Sequence, residues 1–413
     1  MAMKKLIRHA ALAALLTSGA VAGMIMVETS AYAAAAPRGP AMSRRAGPLI
    51  QESQKAYQAM DFATALAKAA QADMQDGKNP FDEYLIAQVR GLSHIAQMDL
   101  AAAAPEFDKM LASPMAPAES KPQAIATAFK LHYSAKNYTR SIALGTELAV
   151  IRPLDDTELQ IMTDAYLKSD DAAGAAKFVE GVIAAKQAAG QRAPKVVLQQ
   201  LIAARIALKD EAGIATALEQ LTLADPTPEN WKRLTDRGFA IQGVTEPQLL
   251  NLYRLRVLTN AMDANDYLGM AGVSLKQGLP EEAKKMLQKG IDAGTLTAAQ
   301  AQNLMTQAQQ MGTRDSAALA ELEKAGAAAK EGETDVKLAE SLYAYGRLAD
   351  AETVMKRGLG KGSVKDVPNS NVVLGVILLA QGKKDEARAA FTAAESSPQV
   401  GQIAHLWLVY TQG

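Results

Sequence analysis

The chain has 413 residues, 44 basic and 44 acidic side chains, no cysteine, and only 5% aromatic residues against 49% hydrophobic ones. Balanced charge leaves no global field to attract nucleic acid or an anionic surface, and the lack of cysteine excludes disulfides, thiol nucleophiles and a lipid-bearing cysteine. Much of the apolar content is alanine, and strong helix formers predominate over β-branched and aromatic residues, which predicts a mostly helical protein.

In chain order, Lys4, Lys5 and Arg8 precede an apolar run from Ala10 to Val27, and Ala31-Tyr32-Ala33 fits a small-x-small cleavage pattern. Residues 1–33 therefore read as an export signal cleaved after Ala33, which places the mature chain in the periplasm or outside the cell. The run is long for a signal, so a retained membrane anchor is the alternative. Residues 34–48 are rich in Ala, Pro, Gly and Arg without an apolar period, and they read as a flexible tether.

From Leu49 onward, short helical patterns come in pairs. "MDFATALAKA" carries Asp61 and Ala65, "MDLAAAAPEF" Asp99 and Ala103, "KNYTRSIALG" Asn137 and Ser141, "SDDAAGAAKF" Asp171 and Ala175, and "KDEAGIATAL" centres on Ala215. In the first four, an Asp or Asn stands four residues before a small residue, suited to capping the second helix. After an irregular stretch around Trp231 to Met262, glycine replaces this device. Gly278, Gly312, Gly346 and Gly382 precede Ala283, Ala317, Ala351 and Ala387, and the first three alanines are 34 residues apart. A glycine there ends the first helix with positive φ.

This 34-residue helix-turn-helix period resembles the tetratricopeptide repeat family. Gly91, Ala103 and Phe107 match its small, small and aromatic positions in one unit, and Gly375, Ala387, Phe391 and Ala394 match in another. The resemblance covers residues 49–398 and implies an all-α, right-handed solenoid of about nine or ten hairpins. It divides the chain into N-terminal repeats (49–225), a degenerate repeat (226–262), C-terminal repeats (263–398) and a capping helix (399–413), the last alternatively a partner or dimer surface. Phe129, Thr163 and Met305 occupy the first small position, so looser helix crossings, or a sibling helical repeat, are expected there. The family uses the first helix of each hairpin to line a concave groove. By register that implies Lys130, Tyr133, Gln160, Asp164, Gln302, Gln309, Glu340 and Tyr343 as partner-binding positions, a mixed polar set without the clustered cations that would clamp a terminal carboxylate.

Catalytic signatures are thin. His94, His132 and His405 fall in separate units, and neither HExxH nor Gly-x-Ser-x-Gly occurs. "GLGKGSVK" at 358–365 lacks phosphate-loop spacing and follows a helical pattern, so it reads as a helix-ending loop. The carboxylate pairs Asp155-Asp156, Asp170-Asp171 and Glu281-Glu282 suit helix starts, and Trp231 reads as a packing residue. The expectation is a non-enzymatic scaffold for an envelope complex, with no cofactor or metal. Its groove binds a protein or peptide partner, its membrane contact is limited to the signal or anchor, and no nucleic acid is involved. An accessory role in polysaccharide handling or export, with glycan in the groove, is the alternative.

Overall fold

A computed structural model describes residues 40–412. The expected export signal, residues 34–39 of the expected tether, and Gly413 lie outside the described residues. Among the described residues the regular structure is twenty α-helices and one 3-10 turn, and none of the helices is long and apolar enough to cross a membrane. The chain divides into two compact units at Asp210 and Glu211, earlier than the 225/226 boundary expected from the repeats.

The first unit holds α1 (Ala46–Gln58), α2 (Phe62–Asp73), α3 (Pro80–Ala96), α4 (Leu100–Ala112), α5 (Lys121–Ser134), α6 (Tyr138–Ile151), α7 (Asp156–Lys168), α8 (Ala172–Ala188) and α9 (Lys195–Ala207). Neighbours pair as hairpins, α1 with α2 through α7 with α8, and each second helix also packs on the first helix of the next hairpin. First helices touch one another as well, α1 with α3, α5 with α7 and α7 with α9, so they form the inner layer. The tether is shorter than expected. The Ser43 N–H donates to the buried Asp82 carboxylate at 3.1 Å, Asn79 Nδ2 donates to the Ala41 carbonyl at 2.9 Å, and Ala46 is already helical and fully buried.

The hairpin turns of the first unit are each built on one residue in the left-handed region. Met60, Met98, Lys136 and Asp170 have φ between 60 and 64°. The turn at Met60 shows the pattern: its N–H donates to the Tyr57 carbonyl and the next N–H, of Asp61, reaches back to Ala56, both at 2.9 Å. Two carbonyls at the helix end are thereby satisfied. Asp61, Asp99, Asn137 and Asp171 follow these turns, and their side chains accept from backbone N–H groups of the second helix at 2.7–3.3 Å. In the second unit Gly278, Gly346 and Gly382 take the left-handed position, with φ of 74, 80 and 76°, while Leu279, Arg347 and Lys383 follow without a side-chain cap. The turn is the same throughout; one half of the chain optimises its cap and the other its left-handed residue. The small residue five positions after the turn, Ala65, Ala103, Ser141, Ala175, Ala283, Ala351 or Ala387, is fully buried in each case. The expected small residue Ala215 is half-buried, and its neighbour Ile214 is 8% exposed.

The helix crossing inside each hairpin is filled by a pair sixteen residues apart. In α3 and α4 the pair is Gly91 and Phe107, and a Cβ on Gly91 would lie 3.1 Å from the Phe107 ring. In α5 and α6 the equivalent positions are Phe129 and Gly145, the same two residue types exchanged. A Cβ on Gly145 would stand 2.9 Å from the Phe129 ring and 2.6 Å from Met162 Sδ. Phe129 is fully buried. The looser crossing expected at Phe129 is therefore absent, because the partner helix supplies the glycine. Thr163 and Val179 take these places in α7 and α8, both buried.

The second unit comprises α10 (Glu211–Ala224), α11 (Pro228–Phe239), α12 (Glu246–Leu258), α13 (Ala264–Lys276), α14 (Pro280–Asp292), α15 (Ala298–Ala328), α16 (Glu333–Ala344), α17 (Leu348–Lys361), α18 (Val367–Ala380), α19 (Lys384–Glu395) and α20 (Gly401–Tyr410). The expected degenerate repeat is the helix pair α11 and α12. Crossing pairs recur as Ala271 with Leu287, Ala339 with Met355, and Gly375 with Phe391, all buried. The hairpin expected at Gly312 and Ala317 does not form: both lie inside the continuous helix α15, and Ala317 is exposed. Beyond Ala308 this helix buries only Gly326, so no apolar face drives a turn, while Ala, Gln, Glu and Lys favour continuation. In "GLGKGSVK", Gly358 packs backbone to backbone on Gly332, and Gly362 ends α17 with φ 72°.

The expected capping helix, α20, covers α19 and also reaches α11 and α12. Trp407, fully buried, stacks on Phe391 at 5.3 Å, and Trp231 meets Tyr410 edge-on at 5.8 Å. Helix α18 contacts α12 as well, where Asn251 Nδ2 donates to Asn369 Oδ1 at 2.9 Å. The last helices of this unit return to its first ones.

Replacing Met98 by glycine should raise stability by about 0.5 to 1 kcal/mol, since a side chain costs about 1 to 2 kcal/mol in the left-handed region and glycine returns part of that as unfolded-state entropy. Gly382→Ala should lower it by a similar amount. Urea midpoints followed by circular dichroism check both, and a destabilised Met98→Gly would contradict the turn assignment.

Candidate functional site

On the inner layer of the first unit, α5 and α7 bring two of the expected groove positions, Tyr133 and Asp164, together. The Tyr133 hydroxyl donates to the Asp164 carboxylate, and Lys168 Nζ pairs with Asp164 and donates to the Tyr133 oxygen at 2.9 Å. The same ammonium lies over the rings of Tyr133 and Tyr138, at 4.8 and 5.9 Å, geometry that favours a cation above aromatic faces. Burial and the hydrogen bond to Asp164 push the Tyr133 hydroxyl's pKa up. Burial works against the charge of Lys168, but Asp164 and Tyr133 outweigh it and hold the ammonium protonated well above its usual range. Lys130 stands 3.6 Å from Glu158, a buried carboxylate that Arg152 grips with two bonds of 2.8 Å. Burial opposes the charge of Glu158, and Arg152 overcomes it, so the pKa is lowered. Gln160 is exposed on the same helix. The resulting face is polar, aromatic and internally paired, with Lys168, Tyr138 and Glu158 joining the residues expected from register.

In the second unit the expected positions separate. Gln302 and Gln309 are exposed on α15. Glu340 and Tyr343, expected as open groove positions, instead surround Arg254 of α12. That guanidinium makes two 2.8 Å bonds to Glu282, lies 3.6 Å from Glu340 and 5.2 Å from the Tyr343 ring, and donates to Asn251 Oδ1 at 3.1 Å. Arg254 is 3% exposed, so the groove side here is an interior ion cluster. Burial and the neighbouring charge of Glu282 raise the pKa of Glu340 despite Arg254, and burial pushes that of Tyr343 up to about 12.

The same unit contains a half-open cleft of about 660 Å³ that the residue pattern did not reveal. Ala212, Ala215 and Glu219 of α10, Leu234 of α11, and His405 and Leu406 of α20 are among its lining residues. His405 spans it: Nε2 meets Glu219 at 3.0 Å and Nδ1 meets Glu395, at the end of α19, at 2.9 Å. His94 and His132 are packing residues. His94 is half-buried, and His132 is 4% exposed with Nε2 2.9 Å from Asp108. Burial holds the pKa of His132 below the ordinary imidazole value, against the pull of Asp108.

No family model and no curated protein matches the chain. Among solved structures it is similar to a tetratricopeptide repeat protein from Parabacteroides merdae, at 12% identity over 90% of this chain and all of that one, with a TM-score of 0.28. Similarity also extends to the tetratricopeptide domain of P58(IPK), at 13% identity, 89% and 97% coverage and a TM-score of 0.23. The Cut9–Hcn1 hetero-tetramer of the APC/C is a third, at 12% identity, 89% and 69% coverage and a TM-score of 0.22. The stacked hairpins described above, with their common turn and their crossing pairs, are in themselves a tetratricopeptide-like arrangement.

The pH dependence of the His405 contact follows from its partners. Burial opposes the imidazolium, but the hydrogen bonds to Glu395 and Glu219 prevail and raise the pKa above 6.5. A raised folded-state value means that the contribution is complete below the unfolded value of 6.5 and is lost as pH rises through the folded one. The melting temperature of the parent minus that of His405→Gln should therefore be constant in mild acid and shrink at alkaline pH. An advantage that grew with pH would contradict the clamp.

Proposed function

We propose that the chain is a non-enzymatic scaffold that binds a protein partner of a cell-envelope complex on the inner helices of its first unit, after export directed by residues 1–33. The observation that carries this reading is the Tyr133, Asp164 and Lys168 cluster on successive first helices. With Tyr138 of α6 beside it, the cluster combines two tyrosine rings, a cation and a carboxylate on a preordered surface, and aromatic residues with adjacent polar groups are the usual anchors of recognition. The counterpart surface in the second unit is occupied by Arg254, which directs the proposal to the first. Pairing within the cluster also lowers the ordering cost of binding, since the side chains are already held.

Photo-crosslinkers placed at Gln160 and at Lys168 in the full chain, expressed in its native envelope, test this. A discrete protein adduct from both positions, absent with the crosslinker at exposed Gln302, is the expected result. Adducts to glycan alone, or equal adducts from all three positions, would overturn it.

A further inference from the structure

We propose that the cleft between α10, α11 and α20 is a binding site for an amphipathic monocation, an aliphatic chain bearing a primary ammonium group. The cleft lies in the second unit and shares no residue with the Tyr133 cluster. Its volume, about 660 Å³, falls within the span of small-molecule sites, about 300 to 1,000 Å³. Its surface has two parts. The apolar lining is short-sided on one helix: Ala212 and Ala215 stand where larger side chains would fill the space, and Leu234 and Leu406 complete it. The rim is ionic, and its charges do not balance.

At one end Arg237 donates to the Glu211 carboxylate at 3.0 Å, a neutral pair. At the other, Glu219 and Glu395 share the single imidazole of His405, at 3.0 and 2.9 Å. Even an imidazolium leaves one negative charge uncompensated there, and a neutral imidazole leaves two. The remaining polar lining groups, Ser397 and Gln402, carry no charge. An ammonium placed beside Glu219 and Glu395 supplies the missing positive charge, and its chain covers Ala212, Ala215, Leu234 and Leu406. A carboxylate of the same length meets the excess negative charge at the same end, so charge sign discriminates between otherwise equivalent amphiphiles.

Calorimetric titration of the full chain with octylammonium, octanoate and octanol, each kept below its aggregation concentration, tests the proposal. Octylammonium should bind one to one, with octanoate and octanol each at least roughly tenfold weaker. Glu219→Gln with Glu395→Gln should abolish the preference over octanol and keep the residual apolar binding. Ala215→Trp should remove binding of all three, with Ala212→Phe as a second filling variant should the first not melt cooperatively. Equal binding of octanoate, absence of octylammonium binding, or binding that survives both filling variants would overturn the assignment.

Discussion

The contact on which the rest of the structure depends is the crossing of the two helices within a hairpin. Two helices approach closely only where the summed bulk of the facing side chains is held within bounds, because interiors pack at crystal-like density and tolerate neither voids nor overlap. Here the bound applies to a pair rather than to a residue. Gly91 with Phe107, Phe129 with Gly145, and Gly375 with Phe391 present one ring and one missing side chain, in either order. The turn fixes which residues can form this pair. One left-handed residue and two carbonyl bonds set the chain direction, and the fully buried small residue five positions later lets the second helix settle on the first.

Once the hairpins are built, the two units spend their inner helices differently. In the first, the outward residues of α5 and α7 pair with one another and remain at the surface, as a polar and aromatic face. In the second, α12 supplies Arg254, which satisfies Glu282 and Glu340 and covers the Tyr343 ring. A buried guanidinium is tolerated only with such partners, because an unpaired buried charge costs several kcal/mol. The return of α18 and α20 to α11 and α12 completes this closure, and it leaves the His405 cleft where α10 and α20 face each other across α11.

Much of this was legible in the residues, for reasons that can be stated. The turn needs Gly or a capping Asp or Asn at fixed places, so its period shows directly in Asp61, Asp99, Asn137, Asp171, Gly278, Gly346 and Gly382. Gly91 with Phe107 and Gly375 with Phe391 were legible because the small member came first. Phe129 was misjudged because a single position was weighed without its partner at Gly145. Gly312 and Ala317 matched the pattern by composition alone; an alanine at a given place is a weak signal in an alanine-rich chain, and α15 lacks the apolar face that would demand a turn. Register implied Glu340 and Tyr343 as groove positions, but nothing local announces that Arg254, far back in the chain, packs against both. The His405 clamp was hidden for the same reason, since Glu219 lies 186 residues away.

The central claim, that bulk is conserved across the crossing pair rather than at either position, is tested most directly by exchanging the pair in α5 and α6. Phe129→Gly alone should cost about 3 to 5 kcal/mol through the cavity it leaves, and Gly145→Phe alone about 1 to 3 kcal/mol or more through overlap with Phe129 and Met162. In the double variant, whose crossing reads as Gly91 and Phe107 do, equilibrium urea unfolding should show stability restored to within about 1 to 2 kcal/mol of the parent, a coupling expected of residues in direct contact. A double variant as unstable as the sum of the two single ones would contradict the account.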